Sequence, residues 1–490
     1  MNSGRIVYHR NSREQPNMNY NKRKTETINV TGTPAENQSN YHDNQPDPEL
    51  LDHYDNFYHT TKSLLVLFQI MGIMPIEREP GKTIYRWTSA TNMWAYFIFG
   101  VETIFVSIVF RERLKLVLLP GKRFDEYIYA IIFLSILIPH FLLPIGAWTN
   151  GHEVAKFKNM WTKFQYKYFT VTRSPIIFNN LTLITYSLCV ISWLVGILIM
   201  LAQFYLQPDM LLWHTFAYYH ILAMLNGLCS LWFINCTAKG RAAGWLSENL
   251  HNALQSSDPA SRLGEYRDLW VDLSHMMQQL GKAYSGMYAV YCILILLTTV
   301  VAAYGCLTEI LDHGLSTKEA GLFLIAFYCM TLLYIICNEA HQLTHKMGSE
   351  FRERLLNVNL GAVDQKTRQE VNMFLTAIDK NPPVMNLNGY ANVNRKLITS
   401  AVTSMATYLV MLMQFRLSLM RNAAIATRRN VTSPSENAHL SIGGATCRLG
   451  NSRSYASRLP NAKGRESDNP RGEWSKRNDE MSAETHPYVR

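Results

Sequence analysis

Apolar residues along this chain gather into seven runs separated by polar stretches, at about 92–110, 127–148, 181–205, 211–236, 284–304, 321–337 and 397–419. Each is close to the roughly 20 residues that a membrane-crossing helix needs. Lipid offers the backbone no hydrogen-bond partners, so runs of this length predict helices that satisfy themselves. The pattern predicts an all-α membrane protein with seven transmembrane helices. A shorter apolar stretch, 62–76, predicts an interfacial or re-entrant helix leading into the first span.

The polar stretches divide the chain. Residues 1–60 read as a disordered tail, 61–420 as one membrane domain and 421–490 as a second disordered tail, since neither tail carries an apolar period. Between the fourth and fifth runs, two helices are expected at 238–255 and 263–280, split by the breaker SSDPAS. Before the last run, helices are expected at 339–357 and 365–379. In the latter, Val371, Phe374, Leu375 and Ile378 recur at helical spacing and form one apolar face. That face suits either a helical layer below the membrane or helices lying on the lipid surface.

The tails explain a mean hydropathy of −0.07, which would pass for a soluble protein. The net charge of +10 is carried by loops and tails, so it points to membrane orientation and not to nucleic acid. With the amino terminus inside, the inner loops hold eighteen Lys and Arg residues and the outer loops six. The positive-inside rule then places the amino terminus in the cytoplasm and the carboxyl terminus outside. The sequons at Asn29 and Asn37 argue for the opposite orientation. A G-protein-coupled receptor is the alternative seven-helix reading. Against it stand the orientation, the lack of Asp-Arg-Tyr after the third span and the lack of a loop cysteine pair. Asn381-Pro382-Pro383 also precedes the last span instead of lying within it. No signal peptide is expected at the start of the chain. Seven of the eight cysteines sit in or beside spans, so they form no disulfide framework.

Polar residues inside the spans are the candidate chemistry. Gln414 lies beside Phe415 in the last span. Its amide in hydrocarbon would cost a few kcal/mol unless partnered. A wet pore removes that cost, and so does a hydrogen bond to a neighbouring helix. Glu102, in the first span, is an expensive intramembrane carboxyl; it either lines a ligand cavity or sits protonated against a carbonyl. His140, His214 and His220 lie in or at the ends of spans. They are candidates for sensing acid or bicarbonate, or for plain interfacial hydrogen bonding. His341 and His345 share a helix face, but HQLTH lacks the glutamate of a zinc protease, so no metal or other cofactor is expected. No phosphate loop or nucleophile elbow appears, which argues against an enzyme.

The stretch Thr407–Phe415, TYLVMLMQF, resembles the signature that closes the last span of the insect gustatory receptors. The resemblance covers roughly residues 60–420 and includes the lead-in LLVLFQIMGIMPIE. YRWTSATNMWAYFIFGVETIF, LLPIGAWTNGHEVAKFKNMW and NEAHQLTHKMGSEFRERLL are most similar to the carbon dioxide-sensing branch; the sugar-sensing branch is the alternative. The resemblance implies the insect chemoreceptor channel fold, with four subunits around one pore. It implies a ligand-gated nonselective cation channel in the plasma membrane of sensory dendrites, heteromeric with related receptors. Thr407, Tyr408, Gln414 and Phe415 match the signature, and Gln414 and Phe415 would stand at the gate. Glu102, His140, His214 and His220 remain ligand-pocket candidates. The family generally ends soon after the motif, whereas this chain continues from Arg416 to Arg490. A carbon dioxide pocket should be narrow and apolar with one or two polar groups; a sugar pocket needs several polar groups and a stacking aromatic.

Overall fold

The computed structural model describes residues 47–432, apart from 119–123, 207–210, 212, 315–316, 360, 362, 388 and 390. Both sequons, Cys447 and most of the two predicted tails lie outside the described residues.

Helices dominate. In chain order they are α1 (Pro48–His53), α2 (Asn56–Ile70), α3 (Ala90–Leu118), α4 (Phe124–Thr149), α5 (Gly151–Thr172), α6 (Leu181–Leu206) and α7 (His214–Glu248). There follow α8 (Leu250–Leu254), α9 (Pro259–His313), α10 (Thr317–His345), a π turn (Lys346–Glu350), α11 (Phe351–Leu356), α12 (Gln365–Lys380) and α13 (Arg395–Thr432). Two antiparallel hairpins, β1 (Glu77–Glu79) with β2 (Lys82–Ile84) and β3 (Asn386–Leu387) with β4 (Ala391–Asn392), close loops. Among the described residues, seven helical segments are long and apolar enough to cross a membrane, one for each predicted run.

Several boundaries move. Residue 60 falls inside α2, which buries Phe57, Leu64 and Phe68, so packed helix is already present on the amino-terminal side of the predicted boundary. The stretch 62–76 falls in α2 and the turn after it, with one face buried in the bundle and Val66 and Ile70 exposed on the other. α2 packs on α5, α6 and α7, and the chain then turns at Gly72. Gly72 has φ +71°, in the left-handed region that a side chain resists. Its carbonyl accepts from the Trp148 indole at 3.1 Å. At the other end, α13 runs past residue 421 to Thr432. The end of α13, from Leu419, belongs to a second unit of the chain.

The predicted loop helices are continuations of spans. The 238–255 helix extends α7 into α8, and the 263–280 helix is the first half of the 55-residue α9. The SSDPAS breaker supplies the start of α9. Asp258 caps it by accepting from the Ser261 amide, and Pro259 occupies a position where no amide is needed. Asp364 likewise caps α12. The apolar face of α12 packs Val371, Phe374 and Ile378 against α9, with Trp270 and Phe374 rings 6.2 Å apart. An Arg267–Glu370 ion pair flanks that contact. These helices thus cover each other, and the lipid-surface reading does not apply to that face. The π turn loosens the backbone ladder, and the Met347 carbonyl within it accepts from the buried Trp270 indole at 3.1 Å.

Candidate functional site

The last helix is the least covered. Only 6% of its span window is buried, against 89% for the span in α7. Thr407, Tyr408, Gln414 and Phe415 are all exposed, Phe415 at 63%. The Thr407 hydroxyl bonds back to the Thr403 carbonyl at 3.0 Å. One position beyond Phe415 the environment reverses: Arg416 is 9% exposed and donates to the Thr308 carbonyl of α9 at 3.3 Å. Glu309 and Glu319, in α9 and α10, are buried as well. Sequence reading passed over these charges because they lie at the ends of runs, where charge is ordinary.

The four ligand-pocket candidates separate. His140 and His220 come together, with ring centroids 6.3 Å apart. His140 Nε2 meets the Thr103 hydroxyl at 2.9 Å, and its ring stacks on Phe99. His220 Nε2 meets the Met71 carbonyl at 3.3 Å. This cluster ties α3, α4 and α7 to the end of α2. Glu102 is next to Thr103 in sequence and keeps one buried carboxyl oxygen without a hydrogen bond. His214 stands elsewhere, between Glu112 at 2.8 Å and Arg113 at 3.4 Å.

A cavity of about 40 Å³ opens between α4, α6, α7, α9 and α10, and none of the four candidates lines it. Its wall is almost wholly apolar, built from residues such as Phe133, Leu222, Ile295 and Cys329. The polar side chains among its lining are mostly committed within the protein. Tyr291 donates to the Leu225 carbonyl at 3.1 Å and Tyr328 to Asn226 Oδ1 at 2.8 Å. Thr298 faces the Ser135 hydroxyl at 3.4 Å. Gln203 Nε2 donates to the Gly321 carbonyl at 3.1 Å. Gln203 Oε1 is a lining atom without a hydrogen bond, and the Tyr218 hydroxyl faces the Arg113 guanidinium. The signal for Gln203 was present in the sequence, since it is an amide inside a span just as Gln414 is. Which side of the helix it faced was not legible. Among the described residues, no group of His, Cys, Asp and Glu is arranged to hold a metal.

Comparison with known proteins places this geometry in context. The family model for the 7tm chemosensory receptor matches residues 61–419. Gustatory and odorant receptor 22 of Anopheles gambiae is 61% identical over 384 residues, covering 77% of this chain and 82% of that protein. Gustatory and odorant receptor 21a of Drosophila melanogaster is 58% identical over 381 residues, covering 76% of this chain and 84% of that protein. Among solved structures, the insect olfactory receptor OR5 from Machilis hrabei aligns with a TM-score of 0.57 at 14% identity, over 74% of this chain and all of that one. At that identity the likeness concerns the fold.

Proposed function

The chain belongs to the chemosensory receptor family, and from that premise we propose that it is a subunit of a ligand-gated nonselective cation channel that detects carbon dioxide. The cavity carries the reading. The cavity is small, and its almost wholly apolar wall suits a small apolar solute better than a sugar, which needs several polar groups. Carbon dioxide has no net dipole and asks for little hydrogen bonding, which matches an apolar wall with Gln203 Oε1 as an unspent acceptor. A sugar would leave most of its hydroxyls unpaired there, each at a cost of about 1–3 kcal/mol.

The conducting part is α13. Its nearly uncovered surface gives neighbouring subunits room to close a pore around it, and Gln414 offers permeating cations a carbonyl dipole without holding them tightly. Phe415 is the apolar constriction. Adjacent helix positions differ by about 100°, so a modest twist exchanges Phe415 for Gln414 at the axis. The subunits form a tetramer with related receptors, and the amino terminus faces the cytoplasm.

The test is co-expression with related subunits and application of carbon dioxide at clamped pH, recorded in excised patches without GTP. A cation current is expected, together with at least a tenfold loss of sensitivity in Cys329→Phe, which fills the cavity, at retained surface expression. A response that survives the filled cavity moves the ligand elsewhere. A current that requires GTP makes the chain a coupler and removes the channel reading.

A further inference from the structure

A second group of buried charges lies where α2, α5 and the β1–β2 hairpin meet, and neither the gate nor the cavity uses it. Asp55 is its centre. The carboxylate accepts from Arg78 at 2.8 Å, the Thr162 hydroxyl at 2.6 Å, the Gln165 amide at 2.9 Å and the Tyr58 backbone at 3.1 Å. Its acceptor capacity is spent. One turn along α5, Lys158 is 3% exposed, and its Nζ has no hydrogen bond. The amine rests 4.6 Å above the Phe57 ring. Lys239 of α7 is fully buried, also without a hydrogen bond, and rests 4.4 Å above the Phe157 ring. The two amines lie within electrostatic range of each other, and neither has a carboxylate within ion-pair distance among the described residues.

Two buried amines with no anion of their own are costly to protonate, because desolvation costs several kcal/mol per ion without a compensating pair. Aromatic faces return about 2 kcal/mol each. Burial pushes the Lys158 amine down to about 8, with Asp55 opposing that fall and Arg78 adding to it. A substantial minority of the amine is therefore unprotonated and nucleophilic near neutral pH.

We propose that Lys158 is a carbamylation site, where carbon dioxide adds reversibly to the ε-amine and Lys239 serves as the countercation of the product. The identity of the ligand rests on the carbon dioxide reading above. The Nζ lone pair attacks the carbon, the N–C bond forms and one C=O π pair moves onto oxygen. One Nζ proton passes to water, leaving an N-carboxylate. Nothing is oxidised or reduced. The site changes from two buried amines without a counter-ion to an ion pair, in which the Lys158 carbamate favours the protonated form of Lys239. Arg78 is a second cation beside it. Carbon dioxide is small and apolar enough to reach a buried amine resting on the Phe57 ring, where charged reagents are excluded.

The experiment is carbon NMR of the full-length receptor with its partner subunits in lipid nanodiscs, equilibrated with isotopically labelled carbon dioxide. A carbamate resonance distinct from bicarbonate is expected. It should vanish in Lys158→Met and fall several-fold in Lys239→Met. Lys158→Arg serves where the Met variant fails to assemble, because it keeps a cation over Phe57 and lacks the reactive amine. Absence of the resonance, or its survival in both Lys158 variants, overturns the proposal. Recording current from the same preparations separates the two readings. Current evoked by carbon dioxide without a carbamate leaves the receptor and removes the site; a carbamate without such current does the reverse.

Discussion

Phe415 and Arg416 are neighbours with opposite surroundings, one 63% exposed and the other 9%. That contrast makes the gate proposal testable residue by residue. Phe415→Ala removes an apolar plug, so standing current without ligand should rise. Gln414→Leu extends the dry zone, so evoked current should fall with little change in ligand sensitivity. Gln414→Glu places a ring of charge at the axis and should raise preference for divalent cations. Unchanged leak, amplitude and selectivity in all three would return both side chains to ordinary helix packing. Arg416→Gln should cost about 1.5–3 kcal/mol, the worth of a hydrogen bond from a charged donor, read as a lower melting temperature of the solubilised receptor. Lys158 supplies a pH signature. Its folded-state pKa of about 8 lies below its ordinary 10.5, so the unfolded chain binds more protons between these values. Stability should therefore rise with pH across that window, by about 3 kcal/mol in all. Lys158→Met should flatten the rise; an identical slope in the variant would mean the burial cost lies elsewhere.

At the scale of elements, α9 joins the span to the layer of helices at one end of the bundle. It packs against α4, α5, α10 and α12 and against β3. At Gly281 an added Cβ would stand 2.9 Å from the Asn386 backbone carbonyl of β3. Backbone cannot swing aside as a side chain does, so Gly281→Val should displace the hairpin that precedes α13 and destabilise by about 1–3 kcal/mol. The measured consequence should be weaker coupling, with ligand sensitivity reduced several-fold in channels that still reach the surface. Wild-type thermal stability and sensitivity would show that the hairpin moves freely. The carboxyl-terminal extension is expected to be dispensable for current. A stop after Ala424 should conduct normally, and loss of surface expression would instead assign the segment a role in assembly.

For the whole molecule, orientation decides between channel and coupler. A tag at Asn2 should be hidden in intact cells and a tag after Arg421 accessible to antibody. The reverse staining would contradict the charge asymmetry of the loops and the channel reading with it. Assembly is the other property at this scale. The chain expressed alone should give little or no carbon dioxide response, and a full response alone would replace the heteromer by a homomer.

Number and order of the spans were legible from residue pattern alone, because the bilayer fixes how long an apolar run must be, whereas how far each helix continues beyond it was not. The closing motif TYLVMLMQF was legible for the same kind of reason: a local stretch carries it, and its family resemblance agrees with the match across residues 61–419. The apolar face of α12 was visible too, but not its partner. What tertiary structure decided is which distant positions meet. Gln203, Tyr218, Thr298 and Cys329 share one cavity although they come from four helices. His140 and His220 meet, while His214, only six positions before His220, pairs with Glu112. Lys158 looked like a positive-inside charge, and only packing against α2 turned it into a buried amine over Phe57. A period of 3.6 residues says which side chains share a face. It does not say what that face is packed against, and burial, hydrogen bonding and charge at each site follow from that second fact.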